Sequence, residues 1–238
     1  MASEDQEEYL HSDELAKFYE TLDSVLDDQR QKYNLDDDFM LYAMGGATGM
    51  LLNTPQTSRP ANDIDLAVYH SNHPNSKDSY VEKAALENAM AYVGFEFTNS
   101  THPGYEPTQT GTQTLSNVDT EKNDLPITNL DLLGGNNPLG KYPMEWIRQY
   151  SEPITANIAV LDLEGLAVRK IFRATVDRQG PEDSGQEYDI GTIRTHIEGK
   201  GSDVFNEDRA RQAWDRLLDA NPEKEKPWAE ARGFLVGR

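Results

Sequence analysis

Apolar positions along the chain change period several times, and each change marks an element. Leu15, Phe18, Leu22, Val25 and Leu26 recur at three- and four-residue intervals, which predicts an amphipathic helix over 13–32. Ser12 is placed to cap it, and Asp13 and Glu14 put negative charge in its first turn, where the helix dipole favours it. Residues 39–44 (FMLYAM) read as a strand ended by Gly45-Gly46, followed by a short helix over 47–52 and a loop with Pro55 and Pro60. A second strand is predicted over 64–68 and a helix over 78–92, with Val81, Ala84, Ala85, Leu86, Ala89 and Met90 as inward candidates. Phe95 and Phe97 alternate in a short strand. The polar stretch 98–121 reads as a loop or hairpin with a strand near 112–118. Residues 126–133 (PITNLDLL) predict a strand carrying Ile127, Asn129 and Asp131 on one face, closed by a turn at Gly134-Gly135-Asn136-Asn137. One more strand is expected over 154–160. Helices are then expected over 162–176, 188–198, 203–220 and 222–235, the first with Leu163, Leu166, Ala167, Lys170, Ile171 and Ala174 at helical spacing.

That order, mixed strands and helices followed by helices alone, implies an α+β (mixed α/β) fold with a mixed sheet flanked by helices. It divides into an acidic, disordered tail at 1–11, a core at 12–160 and a helical C-terminal lobe at 161–238 packed on it. The chain has 238 residues and no cysteine, so disulfides and thiolate zinc sites are excluded. The opening MASEDQEEYL lacks the apolar run of a secretory signal, and no stretch approaches a membrane span; a cytoplasmic protein without membrane contact is expected. The net charge of −20 argues against a broad basic surface for nucleic acid. It is unevenly spread: residues 1–140 hold 7 basic and 24 acidic side chains, whereas 141–238 hold 15 and 18. A polyanionic ligand should therefore meet the C-terminal third.

Candidate chemistry centres on Asp63 and Asp65. Residues i and i+2 of a strand share a face, so these carboxylates point together, and adjacent carboxylates repel unless a cation or a shared proton intervenes. A solvated strand edge is the plain alternative for the pair, as a simple turn is for Gly45-Gly46. Lys170 lies on an apolar stripe, where its stem can snorkel, while Arg169, Arg173 and Arg178 can pair with local acids on a solvated face. The five histidines show no metal-ligand spacing.

Taken in order, Gly45-Gly46, a short helix and Arg59-Pro60-Ala61-Asn62-Asp63-Ile64-Asp65-Leu66 resemble the nucleotidyltransferase superfamily (polymerase beta-like). The pattern is most similar to the AbiEii-type toxin group and minimal nucleotidyltransferase-like proteins. Asp131 resembles that family's third carboxylate, and Leu161-Asp162-Leu163-Glu164-Gly165-Leu166 with Lys170 resembles its lysine-bearing helix. Arg178 and Tyr188-Asp189-Ile190 resemble a later stretch. Ala61 stands where threonine or serine is common, and Tyr188 where a lysine is.

The resemblance implies that Asp63, Asp65 and Asp131 are catalytic and hold Mg2+ or Mn2+. It implies that Gly45, Gly46, Arg59 and Lys170 bind the phosphates of a nucleoside triphosphate. Two such ions can stabilise both the attacking and the leaving oxygens. The expected activity is metal-dependent transfer of a nucleotidyl group to a hydroxyl of an RNA such as tRNA, a protein or a small molecule. An antitoxin-like protein partner also follows from the resemblance. The alternative is a catalytically silent module of the same fold that binds a nucleotide or a partner; the departures at Ala61 and Tyr188 favour it. A third reading is a structural acidic protein whose carboxylate pair is incidental.

Overall fold

The computed structural model describes residues 12–35, 39–43, 49, 53–54, 64–69, 77–97, 112–127, 129–133, 142–175, 184–200, 204–224 and 226–235. Helix α1 (Ser12–Tyr33) leads into strand β1 (Met40–Ala43), then β2 (Ile64–Tyr69), α2 (Lys77–Tyr92), β3 (Phe95–Phe97), β4 (Thr112–Asn117) and β5 (Asn129–Leu133). The chain continues through α3 (Met144–Gln149), β6 (Ser151–Pro153), β7 (Ile158–Leu161), α4 (Leu163–Thr175), α5 (Ser184–Lys200), α6 (Glu207–Ala220) and α7 (Trp228–Arg232).

The strands form one seven-stranded mixed sheet, β3-β4-β5-β2-β1-β7-β6. At its centre β5 runs parallel to β2, β2 antiparallel to β1, and β1 parallel to β7. Alternation along these strands sorts the core into two layers. Leu41, Ala43, Ile64, Leu66, Leu130 and Leu132 meet Leu15, Phe18, Leu22 and Leu26 of α1 and Leu86, Ala89 and Met90 of α2. On the other side Tyr42, Ala67, Ala159 and Leu161 meet Leu166, Ala167 and Ile171 of α4, backed by Ile193 of α5 and Trp214 of α6. The first helix after residue 160 thus lies directly on the sheet.

Several boundaries differ from the periodicity for local reasons. The strand expected from 126 begins at Asn129, because the carbonyls of Leu125 and Ile127 accept from the Asn117 side-chain amide, at 3.4 and 3.0 Å, instead of joining a ladder. Of the strand expected over 154–160 only the part from Ile158 forms, as β7; residues 154–157 turn back from β6, with the amides of Ile154 and Thr155 both donating to the Ile158 carbonyl. The final helix shrinks to five residues behind Pro227, which has no N–H and biases its predecessor away from helix. Helix α6 starts at Glu207 because the Asn206 side chain caps the Arg209 amide at 3.0 Å. Helix α3 is six residues long, too short to leave a periodic signal. No helix among the described residues is long and apolar enough to cross a membrane.

Candidate active site

Strand pairing brings two of the acidic candidates together. Asp65 of β2 and Asp131 of β5 are directly opposite in the parallel register Ile64↔Leu130, Asp65↔Asp131, Leu66↔Leu132. Their apolar neighbours all sink into the α1–α2 layer, so both carboxylates stand on the other face, the one that α4 covers farther along. Adjacent strands lie about 4.8 Å apart, and in-register side chains stand side by side. Both residues are half-buried. On the far side of Asp131, Thr114 of β4 is its antiparallel partner, and the Thr114 hydroxyl donates to Asp131 Oδ1 at 2.6 Å. Thr114, Asp131 and Asp65 therefore form a row across three strands. The threonine has no counterpart among the sequence candidates; its signal was the alternation of TQTL, which sets Thr114 opposite Asp131 once the register is known.

The end of the sheet near Asp65 is anchored by the start of α4. Asp162 caps that helix, accepting from the Gly165 amide at 2.6 Å through Oδ1. Its Oδ2 takes Arg209 Nε at 2.9 Å and also Nη2. Arg209 reaches on to the Gln149 carbonyl at 2.8 Å, with its guanidinium 5.0 Å from the Tyr150 ring centroid. Position 165 has to be glycine, because a Cβ there would stand 2.6 Å from the Tyr150 carbonyl oxygen. Glu164 accepts from the Asn206 amide at 2.6 Å, and burial pushes its carboxyl above the usual range. The segment after the Gly-Gly pair is pinned to the same place: the Asn53 side chain bridges the carbonyls of Gly49 and Leu161, both at 2.9 Å, and Gly49 packs against Leu166.

Lys170 and Arg169 depart from the surface roles that their residue types suggest. Lys170 is 2% exposed and ion-paired with Asp189 of α5, which is fully buried, so its stem does not snorkel to water. Burial pulls the ammonium down to about 8, with Arg169 and Arg173 adding to the shift and Asp189 opposing it. Arg169 is 3% exposed and lies against Tyr142 rather than on a solvated face with an acid. Helix α4 is buried nearly all round between the sheet, α5 and α6, which explains why Arg169 and Lys170 are internal.

Of the residues singled out from the sequence, Asp65 and Asp131 are adjacent, while Lys170 pairs with Asp189. Gly45, Gly46, Arg59 and Asp63 lie outside the described residues, as do 1–11, most of 47–52, the turn at 134–137 and Arg178. Two neighbouring carboxylates suit a hard divalent cation, which takes one or two carboxylates and fills its remaining positions with water and phosphate oxygens. Among the described residues no group of three or more histidine, aspartate or glutamate side chains is placed to hold a metal. The donor set they offer is thus the Asp65–Asp131 pair.

No family model and no curated protein matches the chain. Among solved structures it is similar to an antigenic nucleotidyltransferase-like protein from Paracoccidioides brasiliensis, with 18% identity, 94% of each chain covered and a TM-score of 0.42. It is similar to the antibiotic-resistance factor ANT(2'')-Ia, with 12% identity, 87% of this chain and 95% of that one covered, and a TM-score of 0.41. It is also similar to JHP933 from Helicobacter pylori, with 11% identity, 93% and 89% covered, and a TM-score of 0.40.

Proposed function

We propose that the chain is a metal-dependent nucleotidyltransferase of the AbiEii-like kind, moving a nucleotidyl group from a nucleoside triphosphate to a hydroxyl of an RNA, protein or small-molecule acceptor. The observation that supports this most is the in-register pair Asp65↔Asp131 on parallel strands, with both carboxylates on one half-open face. A sheet gains nothing by placing two like charges side by side in a half-buried position, since their mutual repulsion carries a cost. A divalent cation removes that cost. Asp65 and Asp131, with Asp63, would hold Mg2+ or Mn2+, and the metal would supply charge stabilisation for the oxygens around the transferred phosphorus.

The remaining work falls to the chain. The Thr114 hydroxyl occupies one lone pair of Asp131 Oδ1 and fixes its rotamer, leaving Oδ2 for the metal or for the acceptor's proton. Gly45 and Gly46 allow a close backbone approach to the triphosphate, with Arg59 as a cationic contact. Lys170 is the further cation for the phosphates; because it is paired with Asp189, engaging a phosphate requires that pair to open.

The test is label transfer from NTPs with Mg2+ or Mn2+, alone and with total RNA or lysate, comparing the chain with Asp131→Asn. Changing a partner outside the metal's ligand shell costs about 10–100-fold, so losing a ligand should cost at least about 100-fold with no loss of thermal stability. Transfer that persists unchanged in Asp131→Asn overturns the assignment. NTP-dependent thermal stabilisation without transfer to any acceptor supports the silent module instead.

A further inference from the structure

Beside the carboxylate row runs a second polar row that metal and triphosphate leave unused. The register Glu96↔Ser116 joins β3 to β4, and Ser116↔Asn129 joins β4 to β5. Their neighbours Phe95, Leu115 and Leu130 are buried in the α1–α2 layer, so Glu96, Ser116 and Asn129 stand on the face that carries Asp131 and Asp65. This part of the face is open. Glu96 and Asn129 are exposed and Ser116 is half-buried. The apolar layer under α4 takes strand residues from β1, β2 and β7, and none from β3, β4 or β5. The side chains of Glu96, Ser116 and Asn129 make no hydrogen bond or ion pair among the described residues.

Their chemistry is selective. A serine hydroxyl and an asparagine amide each donate and accept, while a carboxylate only accepts. The hydroxyls of a sugar match that set, each being donor and acceptor at once. A phosphodiester backbone does not, because it calls for cations and neither row holds a lysine or arginine. The deficit extends beyond the rows: residues 93–140 contain one lysine, no arginine and six acids. That lysine, Lys122, pairs with Asp119 at 3.5 Å and reaches the Ala91 carbonyl at the end of α2, on the opposite side of the sheet. Size points the same way. The two rows lie two residues apart, about 7 Å, and together cross four strands, about 14 Å. A stable protein partner covers about 800 Å² on each side, several times that area.

We propose that Glu96, Ser116 and Asn129 hold the acceptor of the transfer reaction, and that this acceptor is a small polyhydroxylated molecule without negative charge, a sugar or an amino sugar. Its role as acceptor rests on the reaction proposed above; its binding does not. With its body on the second row, one hydroxyl reaches the neighbouring row at Asp131. That hydroxyl oxygen bonds to the α-phosphorus of the nucleoside triphosphate as the bond from phosphorus to the bridging oxygen breaks. Pyrophosphate leaves with the electron pair, and the hydroxyl proton passes to Asp131.

Binding is read by saturation-transfer NMR in EDTA without nucleotide, because sugars at high concentration raise melting temperatures by exclusion alone. The probes are glucose and maltotriose, and their cationic counterparts glucosamine and its trisaccharide. At least one should bind saturably, and total RNA should not displace it. Ser116→Ala and Asn129→Ala, both on the open face, should each weaken binding about fivefold, as loss of a hydrogen bond does. Tighter binding of the cationic sugars, with the preference lost in Glu96→Gln, identifies an amino sugar; equal affinities identify a neutral one. With Mg2+ and a labelled NTP the bound sugar should become labelled, and Asn129→Ala should raise its KM more than it lowers kcat. Labelling of RNA or protein but of no sugar overturns the acceptor role while the transfer reaction stands. Sugar binding with no labelling of any acceptor overturns that reaction and the acceptor role together. The site itself is overturned by the absence of saturable binding to all four sugars, by displacement with RNA, by undiminished binding in both alanine variants, or by loss of binding in Asp131→Asn alone.

Discussion

On the α1–α2 side of the sheet, Leu22, Phe18, Leu66 and Leu132 pack in an apolar layer with no buried ionised group among the described residues. On the α4 side the apolar layer is threaded with charge: Asp162, Glu164, Arg169, Lys170 and Asp189 are all buried there, and Asp65 and Asp131 stand on the same face. The two layers share strands, and their residues alternate along β1 and β2, so the difference lies in the side chains each face carries. Burying ions costs several kcal/mol each unless they are well paired, and apolar replacements usually serve stability as well or better. A layer selected for stability alone would look like the α1–α2 side. The charge on the other side is what the transfer site proposed above would retain.

The contrast can be tested by breaking each side in turn. The largest effect should follow from separating the buried pair. Asp189→Ala leaves the Lys170 ammonium unanswered in the interior and should cost about 3–5 kcal/mol in denaturant unfolding. The joint replacement Lys170→Met with Asp189→Leu should recover most or all of that loss. If the double variant is as unstable as the single one, the pair is not the electrostatic liability described here. On the apolar side, Leu22→Ala removes a fully buried side chain and should cost about 2–5 kcal/mol by cavity formation. Transfer activity per folded molecule should stay unchanged in that variant; a selective loss of activity would blur the division between the two layers. The smallest effect belongs to the surface. Lys17 and Asp124 pair at 2.7 Å but are 68% and 67% exposed, so Lys17→Ala should leave the melting temperature where it was.

The Lys170–Asp189 pair also sets a pH dependence. Burial holds Lys170 near 8 in the folded chain, against an ordinary value of 10.5. Between those values the unfolded chain binds more protons than the folded one, so stability from this group rises with pH. Below 8 its cost is fully present. Relative to the Met/Leu double variant, wild type should therefore gain stability as pH climbs from 8 toward 10.5; a flat difference would show that Asp189 keeps the ammonium at its ordinary value.

Much of the fold is legible in the chain because local physics writes it there. The spacing of Leu15, Phe18, Leu22 and Leu26 defines α1, alternation around Ile64 and Leu66 defines β2, and Asp65 and Asp131 stand out as acids inside apolar strands. Short or side-chain-terminated elements are less visible. Six-residue α3 leaves too few turns to show a period, and the start of β5 depends on Asn117, a residue from another strand.

The sequence by itself determined the periods, and with them which residues of each strand share a face. It could not determine register, because pairing energy is summed over partners distant in the chain. Only the tertiary structure set Asp65 opposite Asp131 and Thr114 beyond it, since one step of slip on β5 would have turned Asp131 toward the α1–α2 layer. Burial on α4 was likewise undecided by sequence, because a lysine on an apolar stripe looks the same whether it reaches water or meets Asp189. Packing of α5 and α6 around α4 removed the route to water, gave Lys170 its acid, and set Arg169 against the Tyr142 ring.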